Sequence, residues 1–382
     1  MSFKHYFTRT IGLAQAPLHF AAHSHHPWPD ISLGAHQAYW ELSARELDHK
    51  WSRIFGEIVP ATAAQIAKVL NLPRADTLVF APNTHELVSR ILSLFAPDKP
   101  IKILTSDSEF MSFSRQLARL EEDRLAIARR IPTRPIKTFA ERVALAAHTD
   151  RPDIIFLSHV FFGSGFQIPD LNSLVHNLPV EPLIVIDGYH AFMAMPVDLS
   201  AVADRILYLA GGYKYAMSGE GAAFLHVPPD IGPRPRDTGW FAGFDALEQN
   251  PGAVAYPSDA RRFFGATFDA SGIMRMRAVL EHLSAHGPDV AAANAYCRAL
   301  QTQFLAARHK TDLPAPLVDP HEAPTARFLA FETRHAAEIC RRLNEIGVMV
   351  DARGDCLRIG FGIYQDATDV ERLLATLNTL RV

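Results

Sequence analysis

Three cysteines, at positions 297, 340 and 356 of 382 residues, are too few and too scattered for a disulfide framework, which excludes the small stapled secreted folds. No apolar run approaches the roughly 18 residues that a membrane-crossing helix needs. The amino terminus, MSFKHYFTRTIGLAQAPLHF, lacks an apolar stretch followed by a small-residue cleavage site. An excess of positive charge is also missing. Lys and Arg number 38 against 41 Asp and Glu, a net charge of −3, and no basic stripe suits nucleic acid or an anionic membrane. There are no internal repeats and no low-complexity tract. The expectation is a soluble cytoplasmic protein without nucleic-acid or membrane partners.

What is present is a chain 48% hydrophobic, long enough for two cores. From Asp30 to about Leu72 the pattern is helical. Short apolar runs then alternate with helical stretches: TLVFA, IKIL, RLAIARR, DIIFLS and LIVID. Such alternation predicts an α/β fold, a large domain with a mostly parallel, seven-stranded-type sheet flanked by helices. After Val227 comes an aromatic, Pro/Gly-rich stretch to about Asp259, expected to be an ordered loop, and then one long helical segment from about Ala270 to His309. The tail, with strands at ARFLAFE, VMVDA and CLRIGFG, predicts a smaller α+β C-terminal domain. The expected boundaries are 50–268 for the large domain, and 1–49 with 269–382 for the small one.

Ligands of such sheets sit at the carboxyl ends of the strands, and several residues there carry chemistry. Asp187 ends the run PLIVID, either capping the following turn or pairing with a cation or ligand. Lys214 follows the next run, RILYLAGG. Glycines at 211, 212, 219 and 221 surround it, but the Walker spacing is absent. A desolvated lysine there has the lowered pKa that Schiff-base chemistry with a carbonyl requires; the bland alternative is a structural ion pair with Asp187. In FAPNTHEL, Asn83 or Thr84 stands at a helix start, an ordinary cap or an anion site. Phe110 follows another strand and is either core or exposed to a ligand. Arg358, amid Leu, Ile and Phe, is either paired with an acid or holds a carboxylate bidentately. His19, His23, His25 and His26 cluster near the amino terminus, but no carboxylate or cysteine stands at ligand spacing, so no metal is expected.

Taken in chain order, these residues resemble the fold-type I pyridoxal-phosphate enzymes, specifically the class V aminotransferase family, and within it kynureninase. The resemblance rests on FLSHVFFGSGFQIPDL, IDGYHAF, GGYKY, GWFAGF, RRFFGAT and GVMVDARGDCLRIGFGIY, in kynureninase order. It implies pyridoxal 5′-phosphate as cofactor and Lys214 as the lysine that binds it covalently. Asp187 would pair with the pyridine nitrogen, with His190 beside it. Phe110 would stack on the ring, and Ser158 would lie near the ring oxygen or the lysine. Thr84 and the amide of His85 would bind the phosphate. Tyr213 would reach the phosphate and assist proton transfer. Thr267 would complete the phosphate site of a neighbouring subunit, implying a homodimer with shared active sites. Arg358 would hold the α-carboxylate of an amino-acid substrate and Trp240 would lie beside it.

Departures concentrate at the substrate side. An Asn-Ser-Leu-Gly-like segment is replaced by His23, Ser24, His25 and His26, which makes His23 and His25 candidates for the pocket lining. Thr267 stands where some kynureninases have asparagine, and FDAS replaces a proline pair. The expected activity is hydrolytic Cβ–Cγ cleavage of a kynurenine-type amino acid. The alternatives are a class V aminotransferase, a β-lyase or desulfurase, and a non-catalytic binding protein on the same fold. Cys356, two residues before Arg358 in a strand-like run, is expected to be structural.

Overall fold

Strand runs that are apolar on both faces dictate the centre of this protein. In a computed structural model, which describes residues 2–13, 16–246 and 254–380, two single helical turns, Lys4–Tyr6 and Thr8–Ile11, precede a two-residue strand, β1 (Leu18–His19). Two long helices follow, α1 (Ile31–Glu46) and α2 (Val59–Leu70). Alternation then sets in: β2 (Leu78–Ala81), α3 (Thr84–Leu92), β3 (Ile101–Ser106), α4 (Met111–Glu122) and β4 (Ala126–Ile131). It continues with α5 (Phe139–Asp150), β5 (Ile154–Ser158), α6 (Leu171–His176), β6 (Leu183–Asp187), β7 (Ile206–Gly211) and β8 (Ala223–His226). Helices α7 (Ser271–His286) and α8 (Val290–Ala307) lead to β9 (Phe328–Glu332), α9 (Ala336–Glu345), β10 (Val348–Met349), β11 (Asp351–Arg353), β12 (Cys356–Gly360) and α10 (Ala367–Thr379).

Seven strands form the central sheet in the order β2-β8-β7-β6-β5-β3-β4. Only β8 runs against its neighbours. Every residue of β5 and β7 is buried, as expected of parallel strands covered on both faces. The edge strand β4 exposes Arg129 and Arg130, which pair with Asp150 and Glu121; charge on an edge discourages further strand pairing. From β3 the chain moves outward to β4 and then returns to the other side of β3 as β5. That reversal opens a crevice beyond the carboxyl ends of β3 and β5, the usual ligand position in such sheets.

Two helical expectations are interrupted. The stretch 30–72 breaks at Leu47, which takes φ 47°; α-helix resumes at Lys50, widens into a π-helical segment at Ile54–Ile58 and returns to α geometry at Val59, with Pro60 in the first turn. The stretch 270–309 breaks at Gly287–Pro288, because proline disfavours helix in the residue before it; Asp289 then caps α8 by accepting from the Ala292 amide at 2.7 Å. Similarly VMVDA divides into two strands. Val348–Met349 pairs in parallel with β1, while β11 joins the antiparallel sheet β11-β12-β9. Gly360 also donates to Phe20 O at 2.7 Å, so the N-terminal segment is hydrogen-bonded to the C-terminal unit. Part of the expected loop after Val227, residues 247–253, lies outside the described residues.

Candidate active site

Register aligns the strand ends. Ser158 lies opposite Asp187, and Asp187 opposite Leu209. Ala81 and Gly211 both pair with Ala223, on either side of β8. The turns that follow these strands therefore share one edge of the sheet, and they carry the chemistry.

Lys214 sits in the turn after β7, closed by Met217 N donating to Lys214 O and Ser218 N to Gly212 O, both at 2.9 Å. Gly219 has φ +71°, and a Cβ there would strike the Trp28 indole that packs against the turn; only glycine takes this conformation at little cost. The half-buried lysine brings Nζ to 2.6 Å from His190 Nε2. The Tyr189 and Phe110 ring centroids lie 5.0 and 5.4 Å from the amine. Burial lowers the lysine pKa to about 7, against a raising influence from Asp187. Burial also holds His190 far below its ordinary value, assisted by Lys214, so the imidazole is neutral.

Asp187 closes β6 and accepts from the Tyr189 amide at 2.9 Å. It thus caps its turn, one of the two sequence readings, and its charge still acts on Lys214. Burial raises its pKa, opposed by the Tyr189 amide and the lysine. The two side chains form no direct ion pair, so the structural-pair reading of Lys214 fails and both groups are left to face a third. Phe110 is 38% exposed and meets Phe162 edge-on at 5.3 Å; it is not a core residue. Thr84 and His85 open α3, capped by Asn83 Oδ1, which accepts from the Glu86 amide at 3.0 Å. Their own amides have no intrahelical acceptor. The Tyr213 ring lies edge-on to exposed His25 at 4.9 Å.

Sequence reasoning missed Glu109. It is 4% exposed and accepts from Ser106 Oγ and Ser158 Oγ, both at 2.6 Å. Burial raises its pKa to about 7, the serine hydroxyls oppose this, and Asp187 adds to it. Ser158 is therefore committed as a donor to Glu109. The available signal was an acid three residues beyond a serine that ends a strand.

On the opposite wall, Arg358 (β12) faces Asp351 (β11) in register. Its Nη2 pairs with Asp351 Oδ2, and its Nη1 donates to Phe162 O at 2.6 Å. Of the two sequence readings for Arg358, pairing with an acid holds in this structure. His23 is buried, stacked on Phe328 at 4.7 Å, with Nε2 3.6 Å from Asp351 Oδ2, a contact too long for a hydrogen bond. The His190 ring lies 5.7 Å from the same Phe328 ring. His19 and His26 instead meet Tyr364 OH and Pro27 O, at 2.6 and 2.8 Å. Among the described residues no group of three or more His, Cys, Asp or Glu has metal-site geometry.

Two expected site residues lie apart from the rest. Trp240 Nε1 donates to Thr267 Oγ1 at 3.0 Å, and Trp240 otherwise meets Phe241 and Phe244. None of these contacts is with Lys214, Asp187 or Phe110. Cys356 donates its thiol to Gly163 O at 3.4 Å, and burial raises its pKa.

Residues 31–373 match the family described as aminotransferase class-V. The chain belongs to that family. Pyridoxal 5′-phosphate is its cofactor by that membership, and the residues present fit the group. Burial lowers the pKa of the lysine amine to about 7, a strand-end carboxylate lacks an ion-pair partner, an aromatic face is exposed beside them, and buried His190 Nδ1 has no partner. The isopenicillin N epimerase of Amycolatopsis lactamdurans is 29% identical over 202 residues, 51% of this chain and 48% of that one; the match thus spans about half of the relative. A probable cysteine desulfurase of Vibrio cholerae is 22% identical over 82% of this chain and 80% of its own. Among solved structures, the cysteine desulfurase of Thermococcus onnurineus has a TM-score of 0.81 at 17% identity, covering 98% of this chain and 97% of that one. The cystine C-S lyase C-DES has 0.79 at 18%, with 96% and 98% covered. At these identities the structures establish the shared fold. The relatives named are not kynureninases, so that finer resemblance rests on the motif order alone. Among the described residues no helix is long and apolar enough to cross a membrane.

Proposed function

We propose that this class V enzyme removes the α-proton of an amino acid with Lys214 and then cleaves the substrate beyond Cβ, as a kynureninase does. The observation that carries the reading is the lysine amine itself, with a pKa near 7 and held by neutral His190. A general base works best when its pKa lies near the operating pH. When His190 Nε2 accepts one N–H from the neutral amine, the amine's lone pair stays available for the α-proton.

The other residues divide the work. The Thr84 and His85 amides, at the positive end of α3, hold the phosphate. Phe110 supplies a flat face for the ring, and Asp187 holds the proton on the ring nitrogen. Bound there, pyridoxal phosphate supplies a protonated ring that withdraws electron density from the substrate Cα. Ser158, whose proton is directed at Glu109, offers only lone pairs to the cofactor. Tyr213, with His25 against its ring, serves proton transfer. Arg358 receives the substrate carboxylate, with His23 lining that wall. Phe110 and Phe162 form an aromatic corner suited to an aryl substrate. Hydrolysis of the Cβ–Cγ bond would then release alanine and an aryl carboxylate.

A β-lyase or desulfurase reaction is the second reading, favoured by the likeness to such enzymes along most of the chain. Transfer of sulfur to an enzyme thiol is disfavoured, since burial raises the pKa of Cys297, Cys340 and Cys356 alike. Release of a sulfur product without such a thiol is the form this reading takes. The remaining proposals are a homodimer, in which Trp240 and Thr267 reach the neighbouring site, and a small unit of residues 1–49 with 269–382, supported by the β1–β10 pairing.

The test is incubation of the yellow holoenzyme with kynurenine, 3-hydroxykynurenine, cysteine and cystine in deuterated water. Anthranilate with alanine carries the first reading, and sulfide or persulfide the second. Lys214→Ala should abolish α-proton exchange; exchange that persists in this variant sinks the lysine mechanism.

A further inference from the structure

Arg358 is already occupied. Antiparallel pairing of β11 with β12 sets Asp351 opposite it, and both side chains are buried. Asp351 Oδ2 takes Nη2, the Phe162 carbonyl takes Nη1 at 2.6 Å, and Nε is buried without a partner. A substrate carboxylate cannot take the Nη2 edge while Asp351 holds it, since two carboxylates sharing one cation repel each other at close range. Asp351 also has a second set of contacts waiting. Arg353 Nη1 is 3.6 Å from Oδ1, and His23 Nε2 is 3.6 Å from Oδ2. His23 is closely packed here: its Nδ1 fills the space that a side chain at position 360 would need, and its ring is stacked on Phe328.

We propose that Asp351 is a specificity-determining latch. It occupies Arg358 in the substrate-free enzyme and must swing to Arg353 and His23 before a substrate carboxylate can bind. The inference rests on the assignment of Arg358 to the substrate carboxylate. Paired with Arg358, Asp351 is ionised: burial opposes ionisation, but His23, Arg358 and Arg353 together bring its pKa down to about 2. The displaced carboxylate therefore needs the cation at 353 and an N–H from neutral His23. The latch disfavours small carboxylates that bring no further contacts, and admits amino acids whose amine and side chain add binding of their own.

The experiment uses acetate and 3-phenylpropionate, carboxylates with no amine to react, titrated calorimetrically into the holoenzyme. Asp351→Asn should bind them about tenfold or more tightly, the scale of one removed like-charge contact, and Arg358→Leu should abolish binding in either background. If Arg358→Leu leaves binding intact, the assignment of Arg358 fails. If it abolishes binding while Asp351→Asn leaves affinity unchanged or lower, the latch alone fails. Arg353→Gln, at a position half exposed, serves should the Asp351 variant not fold. It should weaken carboxylate binding several-fold, and unchanged affinity overturns the latch.

Discussion

The Lys214 amine lies at hydrogen-bond distance, 2.6 Å, from Nε2 of His190, beneath the aromatic faces of Phe110 and Tyr189. Neither group has its ordinary pKa. Burial is the first cause for both, and the charge of the lysine lowers the histidine further.

For the cofactor-free protein, this sets how fast Lys214 is trapped on pyridoxal phosphate by cyanoborohydride. The rate should rise with a midpoint near 7, the value to which burial lowers the amine, and not near its ordinary value above 10. Mass spectrometry of the reduced adduct measures it; a midpoint above 9 contradicts the buried site. Between about 7 and 10.5 the unfolded chain binds more protons at this lysine than the folded one does. Stability of the cofactor-free protein should therefore grow with pH across that window, and Lys214→Met should flatten the rise.

Glu109 gives the opposite slope. Its folded pKa of about 7 exceeds the ordinary 4.5, so its contribution is full at low pH and is lost as pH rises toward 7. Denaturation by urea at several pH values should show Glu109→Gln removing that loss. Glu109→Ala should cost about 1–3 kcal/mol, because it strands the Ser106 and Ser158 hydroxyls.

Asn83→Ala removes the cap from α3 and should cost about 1 kcal/mol. The same change loosens the helix start assigned to the phosphate. Affinity for pyridoxal phosphate should fall several-fold while affinity for pyridoxal, which lacks the phosphate, holds steady. Equal losses for both would remove the phosphate from this helix.

Cys356→Ala should leave turnover within about twofold, because the thiol is bound to the Gly163 carbonyl and has a raised pKa. A drop beyond tenfold would return the thiol to the chemistry and favour sulfur transfer.

The sequence alone determined the α/β alternation, because continuous apolar runs such as IIFLS and ILYLAG suit only strands covered on both faces. It also determined which residues end or follow those strands: Asp187, Lys214, Phe110, and a helix start at Asn83 or Thr84. Each of these follows from local signals a few residues long. The tertiary structure alone decided how the ends meet. Strand order joined β2 to β8 and β3 to β5, and a hairpin register turned Arg358 toward Asp351 rather than leaving it open. Burial selected Glu109, whose neighbours Ser106 and Ser158 lie on different strands. Pairing across distant segments sets which charges share a dry space, and a desolvated charge takes its pKa from those neighbours rather than from its own stretch of chain.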